Sequence, residues 1–161
     1  MDNPNKPTDY LLEEEAFLTY SHASTGQRFL NYLIDNVLMN YGLAYATGAA
    51  VGYLISIIAP EFAYRIFVSQ ESQVALYAFG YLVVIFNYMV YYTACEKLFK
   101  GYTLGKLITG SRAVREDGTE LTFKNALLRT LSRLVPFEPF SGFGGHPWHD
   151  NWTRTMVVKT R

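Results

Sequence analysis

The sequence predicts an all-α membrane protein with two transmembrane helices, interfacial amphipathic helices and a small cytoplasmic β-hairpin or three-strand patch. Two apolar segments, at about residues 29–59 and 74–98, are long enough to cross the ~30 Å apolar core of a bilayer. Hydrophobic residues make up 50% of the 161 residues and charged residues only 17%. This mixture favours a membrane protein that also has a substantial interfacial or aqueous part.

Several functional classes are disfavoured by composition and spacing. The net charge is zero, so no general attraction to nucleic acid is expected, and the single cysteine, Cys95, excludes an intrachain disulfide. The glycines of Gly101–Lys106 are too close together for a phosphate-binding loop, and Leu107 stands where that motif needs Ser or Thr. Without a catalytic constellation, we expect neither an enzyme nor a bound cofactor.

The first long helix carries two charges that are costly in lipid. Ser24 and Gln27 fit a capping box, so the helix is expected to begin near Thr25 and to end before Pro60. Arg28 and Asp35 are two helical turns apart and share one face. Two interpretations follow: a structural ion pair that fixes the helix start, or a site for a proton or a monovalent cation.

Small residues on the first span predict close helix packing. Gly48 and Gly52 have the spacing that lets helix backbones approach in lipid, which favours a homo-oligomer. The second span is expected over Val74–Phe99, with Asn87 forming a hydrogen bond across to the small-residue face of the first span. The chain before residue 21 is predicted to be a tail with a short amphipathic helix at residues 10–19.

The distribution of basic residues predicts the orientation. The polar connection at residues 61–73 holds one basic residue, Arg65, whereas several follow the second span. Positive charge stays on the cytoplasmic side. We therefore expect a multi-pass protein with both termini and a cap of residues 100–161 in the cytoplasm.

Short elements are predicted within this cap. Residues 100–110 are expected to form a loop or short helix, and residues 111–123 a hairpin around Asp117-Gly118. A last strand at residues 153–159 is expected to pair with residues 111–115 and complete a three-strand patch.

An amphipathic helix is predicted over residues 123–135, with Thr122 as its cap. Its apolar face suits either the membrane surface or a protein core, and its opposite face carries Arg129 and Arg133. Residues 136–152 are too irregular to span, and their aromatic side chains suit the membrane interface. His146, His149 and Asp150 come from one short loop, so no metal site is expected.

These motifs together resemble the RDD family of bacterial membrane proteins, named for one arginine and two aspartates. The resemblance covers roughly residues 22–159. Arg28 and Asp35, in ASTGQRFLNYLID, look like the family's arginine and first aspartate, and Asp150, in HDNWTRTMVV, looks like the second. The other positions that look like family motif positions are Gly101, Thr103, Gly105, Lys106, Gly110, Arg129 and His149.

The resemblance implies a protein of the bacterial inner membrane. Many family members have a further span before the last motif, where this chain has an amphipathic helix and a Phe/Pro/Gly-rich segment. Some members look like cation/proton antiporters, and that activity is one expectation here. The other expectations are a structural cluster of Arg28, Asp35 and Asp150, and a membrane-anchored interaction module that binds a partner through the cap.

Overall fold

The computed structural model describes residues 21–69, 73–142 and 147–160. It is largely helical, with one two-stranded sheet. The chain divides into two compact units. Unit 1 takes in the chain up to Tyr32 and from Tyr92 onward, and unit 2 is Leu33–Tyr91. The tail and short helix predicted before residue 21 lie outside the described residues.

The first predicted span is confirmed as one long helical stretch. Helix α1 is Thr25–Val37 and helix α2 is Ala44–Ile58, joined by a π-helical segment, Leu38–Leu43. The capping box is present, because the Gln27 amide donates to Ser24 Oγ (3.2 Å) and the Ser24 amide donates to Gln27 Oε1 (3.0 Å). The π-helical segment was not predicted, since hydrophobic spacing alone does not reveal an inserted residue.

The polar connection predicted at residues 61–73 is helical in the part that is described. Helix α3, Pro60–Ala63, and a second π-helical segment, Tyr64–Val68, occupy it. Ala63 and Ile66 are buried, and the rings of Phe67 and Phe79 meet edge to face. These apolar contacts stabilise the segment as a helix.

The second predicted span is confirmed as helix α4, Gln73–Leu98. By length and composition, Thr25–Ile58 and Gln73–Leu98 are both candidates to cross a membrane. Within unit 2, Asn87 Nδ2 donates to Thr47 Oγ1 (2.6 Å). This bond confirms that Asn87 reaches across to the first span.

Unit 1 contains the sheet, which is smaller than predicted. Strand β1, Ser111–Arg115, and strand β2, Thr155–Lys159, pair antiparallel, with Ser111 opposite Lys159. The expected pairing of these segments is therefore confirmed. The hairpin around Asp117-Gly118 is wrong, because residues 119–122 after the turn have no regular structure and end in the Thr122 helix cap instead of forming a strand. An isolated β-bridge between His22 and Val158 places the segment before α1 next to β2.

The described part of unit 1 also contains four short helices: α5, α6, α7 and α8, which are Leu104–Thr109, Phe123–Arg133, Glu138–Ser141 and Trp148–Thr153. Thr103 caps α5, and Thr122 forms a capping box with Asn125 at α6. Residues 136–152, which were expected to be too irregular to span, contain α7 and most of α8 where they are described, and both helices are short.

A small apolar core holds the sheet. Ala23, Leu121 and Val157 cluster with Ala113, which is fully buried. Gly101 passes so close to this core that an added Cβ would fall on the carbonyl oxygen of Ala113, and its φ of +93° is also unfavourable for other residues. The turn after α4 therefore requires glycine.

Candidate functional site: a buried ion-pair network

Glu96, near the end of α4, lies at the centre of a buried group of charges in unit 1. Its Oε1 accepts from Lys106 Nζ (2.6 Å) and from Arg133 Nη2 (2.7 Å). Its Oε2 accepts from Arg129 Nε (2.9 Å). The Glu96 side chain is 0% exposed, so all three cations meet it away from water.

Arg129 links Glu96 to a second carboxylate. Its Nη1 donates to Asp150 Oδ1 (2.6 Å) and also bonds the hydroxyl of Thr155. The other oxygen of Asp150 accepts from Arg28 Nη1. Arg28, at the start of α1, is thereby connected through Asp150 and Arg129 to Glu96, and we call these residues, with Lys106 and Arg133, the ion-pair network.

His149 and Glu138 extend the network at one edge. His149 Nδ1 lies 2.5 Å from Glu138 Oε1, and its Nε2 lies 3.4 Å from Asp150 Oδ1. Two carboxylates favour a charged imidazole, but burial and the nearby Arg133 outweigh them and lower the pKa of His149 to about 4. The ring is therefore neutral near pH 7, and it donates to one carboxylate at a time.

Local structure places each charge. Arg129 and Arg133 are four residues apart on α6, so both side chains point from one face. His149 and Asp150 are neighbours in the first turn of α8. Lys106 is held in the first turn of α5 by the cap at Thr103, whose hydroxyl accepts from the Lys106 amide. Arg133 also lies over the ring of Tyr92, 4.5 Å from its centroid.

The network is electrostatically close to balanced. It joins four cations (Arg28, Lys106, Arg129, Arg133) to the carboxylates of Glu96 and Asp150, and Glu138 adds a third at the edge. Burial opposes the charge on Asp150, but the guanidinium groups of Arg129 and Arg28 hold its pKa far below the usual range. Burial also lowers the pKa of Lys106 to about 8, although Glu96 favours its charged form.

The predicted cluster of Arg28, Asp35 and Asp150 is reproduced in one of its contacts. Arg28 and Asp150 form an ion pair. Asp35 belongs to unit 2, where it is 1% exposed and its Oδ1 accepts from the hydroxyl of Tyr91 (2.8 Å). That Asp35 joins the other two stays a prediction.

The family motif positions have distinct places in unit 1. Lys106, Arg129 and His149 contribute side chains to the ion-pair network or its edge. The others shape the chain around it: Gly101, Thr103, Gly105 and Gly110 lie in the turn and helix that carry Lys106, and Gly110 ends that helix in a left-handed conformation.

Sequence reasoning missed the centre of the network. Glu96 marked only the polar end of the second span, and Arg133 was placed on a basic face with no partner. Glu138 was not singled out. A usable signal was present in α6, where Ala126, Thr130 and Ser132 surround Arg129 with small side chains. Small neighbours let a helix face pack closely, which favours a buried arginine.

Within the described residues, no group of three or more His, Cys, Asp or Glu side chains is arranged to hold a metal ion. The network pairs its carboxylates with cations instead. His146, one of the loop residues weighed as a ligand, lies outside the described residues.

Comparison with known proteins decides the family. The family model described as RDD family matches residues 22–153, which is most of the chain and includes Arg28, Asp35 and Asp150. The chain belongs to the RDD family. No curated protein and no solved structure gives a significant match. Membership in the RDD family and two long apolar helices together indicate a membrane protein.

Proposed function

We propose that this RDD protein is a two-span protein of the bacterial inner membrane whose ion-pair network has a structural role. The observation that carries the proposal is the position of Glu96, which accepts from three cations on two helices while it is itself fully buried. Removing one partner from such a group leaves an uncompensated buried charge, which costs about 3–5 kcal/mol. The network therefore specifies how the segments of unit 1 pack.

The topology is tested by cysteine labelling in whole cells. Cys95 is first replaced by serine, and single cysteines are introduced at Glu61 and at Thr119, both exposed. A membrane-impermeant thiol reagent is expected to label position 61 in intact cells and position 119 only after lysis. The reverse pattern would place the termini outside, and recovery of the protein without membranes would refute the membrane location.

Ion transport is a second candidate, supported by a specific observation in unit 2. The Asp35 carboxylate is buried, and a π-helical segment begins three residues later at Leu38. Segments of this kind are frequent at functional sites. In this proposal Asp35 carries a proton or a monovalent cation, Arg28 acts as its gate, and an oligomer formed through small-residue helix faces encloses the path.

Sodium-dependent proton flux in vesicles tests the transport proposal. Asp35→Asn is expected to abolish the flux without loss of folded protein. Asp117→Asn, at an exposed turn, is the matched control and should leave the flux unchanged. Flux that is undiminished in Asp35→Asn would rule transport through this carboxylate out.

A membrane-anchored interaction module remains a third proposal. The basic face of α6, which could have bound a partner in the cytoplasm, is buried. Arg129 is fully buried and the Arg133 side chain is only 8% exposed, because both bind Glu96. A partner would therefore have to bind elsewhere, for example at the acidic turn after β1.

A further inference from the structure

The short helices of unit 1 have their polar side chains inside and their apolar side chains outside. Helix α5 is the first case. Lys106 is 4% exposed, whereas Leu107 and Ile108 beside it are 55% and 61% exposed. The buried lysine is held by Glu96, so this arrangement is fixed by the ion-pair network.

Helix α6 has the same arrangement over its whole length. Its inward face carries Arg129, Thr130 and Ser132, all buried. Apart from Lys124 in the first turn, its exposed large side chains are apolar: Phe123, Leu128, Leu131 and, just past its end, Leu134. The basic face that the sequence suggested would meet water or headgroups is therefore the interior face.

Helices α7 and α8 repeat the pattern with aromatic residues. Glu138 and Asp150 are buried, whereas Phe140 and Trp152 are 66% and 57% exposed. Trp148 and Trp152 stack on each other with ring centroids 5.6 Å apart. Paired aromatic rings of this kind are typical of the boundary between lipid and water.

We propose that α5, α6, α7 and α8 lie in the cytoplasmic leaflet, with their outward faces against lipid acyl chains. This rests on the proposed membrane location. Unit 1 is then an interfacial body with a charged interior, and its acidic turn, with Glu116, Asp117 and Glu120 exposed, faces the cytoplasm together with the exposed Lys100 and Lys159. In water such helices would bury the opposite faces.

Two observations favour lipid over a protein partner as the occupant. Lys124 is the only exposed ionisable residue on the four helices, and it lies at the first turn of α6, where a lysine can extend to the headgroups. A protein interface normally has a polar rim instead. The exposed apolar side chains also continue directly from the end of α4 through Leu98 and Phe99, so this surface is continuous in sequence with a candidate span.

The tryptophans allow a direct test on the full chain, because Trp148 and Trp152 are the only two. The protein is reconstituted into phosphatidylcholine/phosphatidylglycerol vesicles whose acyl chains carry bromine near the ester end. Vesicles are isolated by flotation before measurement. Most of the tryptophan fluorescence is expected to be lost in brominated vesicles, and acrylamide in the aqueous phase is expected to quench weakly.

Each other outcome overturns a defined statement. Failure to float with the vesicles would refute the membrane location itself. Flotation with strong acrylamide quenching and no bromine quenching would show that unit 1 faces water, and would refute the lipid contact alone. Flotation with protection from both quenchers would show that a second copy or another protein covers the tryptophans, which also refutes it.

Two single-tryptophan variants locate the contact. In a Trp148→Phe/Trp152→Phe background, Leu131→Trp reports from the outward face of α6 and Thr119→Trp from the acidic turn. Bromine is expected to quench only the first and acrylamide mainly the second. Equal quenching of both positions by acrylamide would contradict the proposal.

Discussion

Arg28 and Asp150 form an ion pair that joins the first turn of α1 to the first turn of α8. Asp150 also binds Arg129. Removing the Asp150 carboxylate therefore leaves two guanidinium groups, one buried and one half-buried, without this partner. Arg28, with its side chain 14% exposed, retains more access to water than Arg129 does.

Asp150→Asn is therefore expected to destabilise the protein more than Arg28→Gln does. Breaking a buried pair from one side costs about 3–5 kcal/mol, and the two changes should couple by about 0.5–3 kcal/mol in the double variant. Thermal melting of the three variants in detergent measures both quantities. Additive effects would show that the pair contributes no coupling.

Glu96→Gln is expected to give the largest loss of stability among single changes in the network. The substitution keeps the shape of the side chain but removes the charge that neutralises Lys106, Arg129 and Arg133. We expect a loss of at least about 3–5 kcal/mol, read as a lowered melting temperature in detergent.

An exposed ion pair in the same unit provides the matched control. Lys100 and Glu120 lie 3.1 Å apart with side chains 68% and 53% exposed, so Glu120→Gln should change stability by less than about 1 kcal/mol. Comparable effects of Glu96→Gln and Glu120→Gln would contradict a structural role for the network.

The lowered pKa of His149 predicts that the protein loses stability in mild acid. Its pKa is about 4 in the folded protein, against about 6.5 in the unfolded chain. As the pH falls from about 6.5 towards about 4, the unfolded chain binds a proton that the folded protein excludes, so stability decreases with falling pH. The contribution at about pH 5 is about 2 kcal/mol.

His149→Gln should remove this part of the pH dependence. The comparison is the difference in melting temperature between about pH 7 and about pH 5, measured for wild type and variant. The carboxyls of Asp150 and Glu138 have lowered pKa values and titrate in stronger acid. If the difference in melting temperature between the two pH values is the same in His149→Gln as in wild type, the imidazole is already charged when the protein is folded.

Gly101→Ala is expected to disrupt the turn between α4 and α5. The added methyl group meets the backbone of Ala113, which cannot move without disturbing β1, and the φ of +93° is strained for alanine. Gly80→Ala is the control, because an added Cβ at Gly80 has nothing within 4 Å. The melting temperature in detergent should fall clearly for Gly101→Ala and stay unchanged for the control variant.

Local signals in the sequence were sufficient for the two long helices and for α6. The Ser24–Gln27 box, the cap at Thr122 and the uncharged run of α4 each act within a few residues, and each is observed. Strand pairing between residues 111–115 and the chain end was also recovered. The turn after β1 misled, because Asp117-Gly118 fits a hairpin while the following residues cap α6.

The site was harder to predict because its partners are far apart in the chain. Arg129 was assigned to the basic face of an amphipathic helix, opposite its apolar face, whereas in unit 1 this basic face is the buried one. Glu96 looked like the polar end of a span, although its carboxylate gathers three cations. Only the resemblance to a family brought Arg28 and Asp150 together in advance, and it grouped Asp35 with them, whereas Arg129 was a separate motif position.

The antiparallel contact between the two ends of the described chain also bears on biogenesis. The Lys159 amide donates to the Ser21 carbonyl (2.8 Å), and the Ala23 amide donates to the Val157 carbonyl (2.9 Å). Arg28 and Asp150 are separated by 122 residues, which takes roughly 6 to 24 seconds to synthesise at about 5–20 residues per second. In the proposed inner-membrane location, the first helix is made with its arginine before Asp150 exists, so lipid headgroups or another protein must accommodate that charge until α8 has been synthesised.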